Sequence, residues 1–345
     1  MEIQKAIAAV VEHQDLSAEN MQAVMTQIMT GLATPAQIGG FLIALRMKGE
    51  TVDEIAAAAK VMRDLSNKVS LPIDGVVDTC GTGGDGGNLF NVSTASAFVV
   101  AAAGGKVAKH GGRSVSSKSG SADVLEHAGI YLGLNAEQVC RCVEEIGLGF
   151  MFAPNHHAAM KHAVGPRKEM ATRTIFNLLG PLTNPANAKR QVMGVFHQKW
   201  VRPIAEVLKA LGSEHVMVVH SVDGLDEISI AAPTYVAELK DGEITEYQIQ
   251  PTDFGISLQS IEDIHAYDAE QSLALIKTAL DGKGKVNPAR DIVALNAGAA
   301  IYVSGVASTL AEGVSIAEDV IGGGTAKVKM SELASFTRCF MDTNS

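Results

Sequence analysis

The sequence predicts an α/β protein: a small N-terminal helical domain plus a larger α/β domain with a central mixed, mainly parallel sheet flanked by helices. Three observations carry this. Residues 1–70 read as consecutive capped, amphipathic helices. After Leu71-Pro72 the chain changes to short β-branched runs, separated by glycine and alternating with helical stretches. One of those runs opens into Gly81-Thr82-Gly83-Gly84-Asp85-Gly86-Gly87, which places a glycine-saturated loop at a strand end.

In the first seventy residues, Ser17 is an N-cap for a helix over 18–30, with Gly31 as its stop. Thr34-Pro35 starts a helix through Met47, and Thr51 caps another to about Ser66. Val24, Ile28, Ile38, Leu42 and Leu45 recur at spacings of three and four, so each helix has a face to bury. The stripe Met21, Met25, Met29 reads as core or a subunit contact, because methionine is an adaptable filler. Strands are expected at 76–78, 106–108, 192–196, 216–220 and 235–239. Helices are expected at 95–103, 121–127, 136–146, 201–211 and 268–280, with a helical close over 287–311 and 313–321.

At 345 residues the chain has length for about two domains and a large core. It is 47% hydrophobic and 19% charged, and no run of about 18 apolar residues is present to span a bilayer. Glu2, Lys5, Glu12 and Asp15 interrupt the N-terminus, which is no signal peptide, so a cytoplasmic location is expected. The four cysteines, at 80, 140, 142 and 339, have neither disulfide-framework nor Cys-x2-Cys spacing, and Cys140 and Cys142 are expected to be ordinary reduced helix residues. A net charge of −10 argues against nucleic acid and anionic membrane as partners.

Against that charge, residues 87–121 contain no acid, while Lys106, Lys109, Arg113 and Lys118 are basic. Asn91-Val92-Ser93-Thr94 and the run 109–121 lie in this stretch beside the glycine loop. Glycines let backbone N–H groups approach phosphate, hydroxyls add donors, and lysines add point charges. The combination reads as a site for a polyphosphorylated sugar. Ser93 and Thr94 stand where a helix begins, as N-cap, anion site or both. There is no Gly-x4-Gly-Lys-Ser/Thr, and a dinucleotide site would want an acid about 20 residues after its loop, within the acid-free stretch. Far downstream, His220-Ser221-Val222-Asp223-Gly224-Leu225-Asp226-Glu227 follows an apolar strand. Its adjacent carboxylates supply the hard oxygens that Mg²⁺ prefers, with phosphates filling the shell. His110, His156, His157 and His162 have no zinc-ligand spacing. Arg167 is a candidate carboxylate fork.

Taken in order, these residues resemble anthranilate phosphoribosyltransferase over nearly the whole chain. The match runs from Gln37-Ile38-Gly39 and Arg46-Met47-Lys48 through the glycine loop, Asn91 to Thr94, the run 109–121, Phe152-Ala153-Pro154 and Arg167. It continues through Arg173-Thr174-Ile175-Phe176-Asn177-Leu178-Leu179-Gly180-Pro181-Leu182-Thr183-Asn184-Pro185 to His220 and Glu227. The resemblance implies a homodimer with a helical domain over 1–70, borrowing a segment near 170–187, and an α/β domain over 71–345. It implies transfer of the phosphoribosyl group of 5-phosphoribosyl 1-pyrophosphate to anthranilate, in tryptophan biosynthesis, with two Mg²⁺ per monomer.

By position, Gly81, Gly84, Asp85, Asn91, Ser93, Thr94, Lys109 and Ser121 would hold the phosphorylated sugar. Leu89 and Val92, with Gly111, Gly112, Arg113, Ser114, Val115, Ser116 and Ser117, complete the implied substrate contacts. Ser93 would ligate one metal, and Asp226 with Glu227 the other. Arg167 would meet the anthranilate carboxylate, with Gly81, His110 and Pro181 nearby. Lys109, His110 and Arg167 would position substrates, and no essential histidine base is expected. Two positions depart from the pattern: Gly112 stands where most members carry asparagine, and Leu89 where threonine or serine is frequent. Losing the amide costs about 0.5–1.5 kcal/mol, at most about tenfold in binding. A nucleoside phosphorylase is the first rival, and the Asp226-Glu227 pair argues against it. A non-enzymatic nucleic-acid-binding paralogue is the second, which the acidic charge disfavours.

Overall fold

The computed structural model describes residues 1–84, 86–113, 119–282 and 287–341. The chain opens with α1 (Ile3–Val11), α2 (Ala18–Met29), α3 (Pro35–Lys48) and α4 (Val52–Asp64). The side chains of Ser17, Thr34 and Thr51 accept from the N–H groups of Asn20, Gln37 and Glu54, so the last three helices start at their expected caps. Gly31 leaves α2 at φ 78°, the left-handed turn that ends a helix at low cost for glycine. Met21, Met25 and Met29 are buried with Val24, Ile28, Ile38, Leu42 and Leu45, so the methionine stripe is core.

The remainder alternates. After the helical layer come β1 (Val77–Gly81), α5 (Val92–Ala102), β2 (Val107–Gly111), α6 (Ser121–His127), α7 (Ala136–Glu145), β3 (Leu148–Phe152), the short α8 (Ala153–His156), α9 (Lys161–Met170) and α10 (Ile175–Leu182). Then follow β4 (Arg190–Gly194), α11 (Val201–Ala210), β5 (His215–Ser221), β6 (Thr234–Lys240), β7 (Glu243–Ile249), α12 (Ala269–Ala279), α13 (Pro288–Ser304), α14 (Leu310–Gly322) and α15 (Thr325–Arg338). Seven strands form one sheet in the order β3-β2-β1-β4-β5-β6-β7. The first five run parallel, and β6 and β7 add an antiparallel edge. The expected mixed, mainly parallel sheet is therefore present.

Both faces of this sheet are covered, and β3 and the middle of β5 accordingly read as continuous apolar runs, whereas β1, β2 and β4 carry polar residues. Val216 and Val218 of β5 pack with Met193, Ala237 and Leu239 into the core shared with α2, α3, α4 and α11. Met217 and Val219 point the other way, into the core of α5, α13 and α14. The helical layer itself is built from two stretches of chain. Ile175, Phe176, Leu178, Leu179 and Leu182 of α10, with Ala163 of α9, are buried in the same core as α2 and α3. Each Ile, Leu or Phe so buried contributes about 1.5–3 kcal/mol before ordering costs.

Several expected elements shift. The strands expected to end near Asp78 and Ala108 run three residues further, to Gly81 and Gly111. The helix expected from Ala95 starts at Val92, so Ser93 and Thr94 lie in its first turn and are not its caps. The helix expected over 287–311 breaks at Gly305, whose φ of 87° ends α13, and α14 starts behind the Thr309 cap. No helix among the described residues is long and apolar enough to cross a membrane, and Cys80, Cys140, Cys142 and Cys339 are all free thiols.

Candidate active site

Three neighbouring parallel strands, β1, β2 and β4, each end in glycine: Gly81, Gly111 and Gly194. At each, an added Cβ would collide with a group that the site uses. It would lie 2.4 Å from Asp226 Oδ2 at Gly81, 2.2 Å from Ser121 Oγ at Gly111, and 1.5 Å from the Asp226 carbonyl oxygen at Gly194. The strand ends thus let the Asp226 loop and the start of α6 close over the sheet edge. There they bound a cavity of about 380 Å³, lined by the glycine loop, Ser93, Lys109, His110, Asp226 and Glu227, and roofed by α9 and α10.

Asp226 is 8% exposed, and its Oδ2 accepts from the Gly83 N–H at 2.7 Å. Gly83 and Gly84 sit at φ 61° and 75°, where a side chain would be strained. Lys109 is 3% exposed; its Nζ donates to the Thr79 carbonyl and, at 3.3 Å, to Ser93 Oγ. Beneath it, burial pushes the Asp78 carboxyl up, and Lys109 opposes that shift. Asp78 accepts from the His110 N–H at 3.2 Å and from Asn184 Nδ2 at 2.7 Å. This braces the ends of β1 and β2 against the chain leaving α10.

His110 is neutral at ordinary pH. Burial, reinforced by His157 and His156, pushes its pKa down to about 3. Its ring lies 5.0 Å from that of His157, and its buried Nε2 has no hydrogen-bond partner among the described residues. Across the cavity, Arg167 lies over the Phe176 ring at 5.1 Å, and burial lowers its pKa. Among the described residues no carboxylate forms an ion pair with Arg167. A half-buried, stacked guanidinium of this kind is suited to a planar carboxylate.

Known proteins share this frame. A helical bundle domain of a glycosyl transferase family matches residues 4–66, and an a/b domain of that family matches 74–327. An anthranilate phosphoribosyltransferase of Marinomonas sp. (strain MWYL1) is 86% identical over 345 residues, the full length of both chains. The chain belongs to the anthranilate phosphoribosyltransferase family. The enzyme of Thermus thermophilus has a similar structure, with TM-score 0.91 and 40% identity, covering 96% of this chain and 99% of that one. The anthranilate phosphoribosyltransferase from Saccharomyces cerevisiae, in complex with PRPP and Mg, has TM-score 0.89 and 27% identity, covering 98% of each chain.

Of the positions matched to the family, Gly81, Gly84, Leu89, Asn91, Ser93, Lys109, His110, Gly111, Gly112, Arg113, Ser121, Arg167, Pro181, Asp226 and Glu227 all line the one cavity. Val92 and Thr94 do not. Both residues are 1% exposed and their N–H groups bond the carbonyls of Phe90 and Asn91, while the buried Thr94 Oγ1 has no hydrogen-bond partner among the described residues. Arg113 faces α6, where it pairs with Asp123 at 2.8 Å and Glu126 at 2.9 Å; its charge is spent locally. Asp85, Ser114, Val115, Ser116 and Ser117 lie outside the described residues. Residues given no role by sequence complete the walls: Asn88, Phe90, Ala153, Phe176, Asn177, Gly180 and Ala266. Ala266 arrives because its N–H donates to the Asn88 carbonyl at 2.8 Å, while the Phe90 N–H donates to Ile264 at 3.1 Å. No local motif marks 264–266. Asn91 Oδ1 accepts from Ser272 Oγ at 2.7 Å, which fixes α12 beside the same wall.

Among the described residues, no group of three or more His, Cys, Asp or Glu could hold a metal by itself. Asp226, Glu227 and Ser93 offer hard oxygens around one space, so a cation here shares its shell with the ligand.

Proposed function

We propose that this cavity joins anthranilate to 5-phospho-α-D-ribose 1-diphosphate, giving N-(5-phosphoribosyl)anthranilate and pyrophosphate in tryptophan biosynthesis. The observation that carries it is one cavity with two chemistries. The glycine loop, Asn91, Ser93 and Lys109 present phosphate donors on one side, and Arg167, Pro181 and neutral His110 present an aromatic-carboxylate pocket on the other.

In this reading the C1–O bond breaks with both electrons leaving on pyrophosphate. The anthranilate nitrogen adds its lone pair to C1, and its proton leaves to solvent. Charge develops mainly on the leaving group, so the protein's task is to hold that group and to aim the amine. Lys109 and the loop N–H groups do the first; Arg167 does the second. His110, with a pKa of about 3, is a neutral imidazole at neutral pH, supplies no imidazolium acid, and shapes the pocket. Ser93, Asp226 and Glu227 would hold Mg²⁺, which we read as two ions per monomer and which when bound would neutralise charge on the departing pyrophosphate. Closure of the helical layer (residues 1–70 with the returning stretch near 170–187) on the α/β layer (71–345) excludes water.

We further read the enzyme as a cytoplasmic homodimer, supported by Leu32 and Met47 on the helical layer, each 76% exposed. Sedimentation at micromolar concentration should give twice the monomer mass, and a monomer would remove that reading.

The deciding experiment follows the loss of anthranilate fluorescence on mixing with phosphoribosyl pyrophosphate, with and without Mg²⁺. Metal-dependent consumption is expected. In the same assay His110→Ala should lose less than about tenfold, and Asp226→Ala about a hundredfold or more at limiting Mg²⁺. No turnover, or the reverse ranking, would overturn the mechanism.

A further inference from the structure

The glycine loop is held from three directions. On its inner side the Gly83 N–H donates to Asp226. At its root, the Thr82 N–H donates to the Gly194 carbonyl at 3.0 Å, and the Phe196 N–H donates to Thr82 Oγ1 at 2.9 Å. The third hold comes from the helical layer. Arg173, in the link between α9 and α10, donates from Nη2 to the Gly84 carbonyl, with its guanidinium 4.7 Å from the centre of the Phe196 ring. A Cβ on Gly84 would stand 3.3 Å from Arg173 Nε. Arg173 is itself anchored: Arg46, in the last turn of α3, donates to the Arg173 carbonyl at 2.6 Å and to Thr172 Oγ1. Two arginines in series therefore run from α3 to the crest of the loop.

We propose that Arg173 is a positioning residue for the sugar pyrophosphate, holding the Gly84 carbonyl away from the cavity and tying the loop's shape to the position of the helical layer. Gly84 lines the cavity and Arg173 does not, so the Gly84 carbonyl is engaged by a donor that stands outside the cavity lining. With no Cβ at Gly83 or Gly84, several orientations of the loop peptides lie close in energy, and some of them aim a carbonyl oxygen at an anion. A charged donor selects among them, through a bond roughly twice as strong as a neutral one. Stacking on Phe196 and the Arg46 anchor restrict where that donor stands.

This inference rests on reading the cavity as a phosphoribosyl pyrophosphate site. Calorimetric binding of that substrate to the unaltered enzyme decides the reading separately. The inference is tested with Arg173→Gln, Arg46→Ala and the double variant, measuring the Kd of phosphoribosyl pyrophosphate by calorimetry, KM for both substrates, and Tm. The expected result is about tenfold weaker pyrophosphate-substrate binding for Arg173→Gln, with KM for anthranilate changed less than about twofold. Arg46→Ala should move binding the same way but less, and the double variant should be no worse than Arg173→Gln, because both act through one chain. Unchanged binding, equal weakening for both substrates, or additive effects of the two substitutions would each overturn the proposal. Additivity would mean that Arg173 acts as an independent charge.

Discussion

At the scale of single residues, the site separates positions that sterics dictate from positions where chemistry chose. Gly111 and Gly112 are adjacent, yet only the first is forced. Among the described residues, a Cβ on Gly112 would meet nothing nearer than the Ala153 Cβ at 3.7 Å, an ordinary contact, and its φ is not in the left-handed region. Gly112→Asn, which restores the residue usual at this position in the resemblance, is therefore expected to fold normally and to gain an amide facing the anthranilate pocket. One such hydrogen bond is worth about 0.5–1.5 kcal/mol, so KM for anthranilate should fall about two- to tenfold with Tm unchanged. A rise in KM would show that the space at Gly112 is used by the substrate. Lys109, Ser93 and the Asp226-Glu227 pair stand out in the sequence, and all four line the cavity, because the proposed phosphate and metal chemistry calls for glycines, hydroxyls and carboxylates in short runs. Phe176, Asn177 and Gly180 are visible only as part of a motif, because their role depends on α10 returning to roof the cavity. Ala266 carries no signal at all, since a backbone bond to Asn88 brings it there.

At the scale of elements, strand ends are less legible than strand interiors, although the ends carry the site. The sequence locates β1 and β2 but stops both near their apolar portions, because Thr79, Cys80, Lys109 and His110 look like loop until the neighbouring strands are present to pair with them. The β3 segment, Leu-Gly-Phe-Met-Phe, is a short apolar run without alternation, which periodicity cannot assign. The polar edge strand β7 escapes the sequence reading despite its Asp241-Gly242 turn, whose φ values of 52° and 79° match a two-residue hairpin. The helical starts, by contrast, are local events set by Ser17, Thr34 and Thr51 and are read directly. The glycine closing β4 offers a test of this element-level view. Gly194 does not line the cavity, but a Cβ there would sit 1.5 Å from the Asp226 carbonyl oxygen, a backbone atom that cannot swing aside. Gly194→Ala should push the Asp226 loop off the sheet edge, costing about 1–3 kcal/mol of stability by overpacking. Activity should fall by more than that lost stability explains, with the deficit partly recovered at high Mg²⁺. Normal activity with normal Tm would show that the loop can move without consequence.

At the scale of the whole molecule, two cores meet at the cavity, and buried histidines stand at their junction. His110 belongs to β2, and its ring bonds the Gly180 backbone of α10; His157 bonds the Thr183 carbonyl at 3.1 Å, and His156 bonds the Asn67 carbonyl at 2.8 Å. The groups bridge the α/β layer, the returning helix and the segment that leaves α4. Burial holds His110 at a pKa of about 3 and His157 at about 4, both below the ordinary 6.5. In the window between these values the unfolded chain binds protons that the folded protein refuses, so stability falls as pH drops from about 6.5 towards 3–4. Glu238 acts lower down. Burial would raise its pKa, but hydrogen bonds from His215, Tyr247 and Tyr302 overcome that and hold it at about 2, so its contribution is lost between the ordinary 4.5 and 2. The two windows separate at about pH 5, where unfolded carboxylates are still mostly ionised while unfolded histidines are protonated. The urea midpoint should therefore drop between about pH 7 and pH 5, and His157→Gln, which keeps a polar group for Thr183 but cannot titrate, should drop less over that interval whatever its stability at neutral pH. An identical drop in the variant would mean that His157 takes up its proton in the folded state, and that the junction between the layers is open enough to let water reach it.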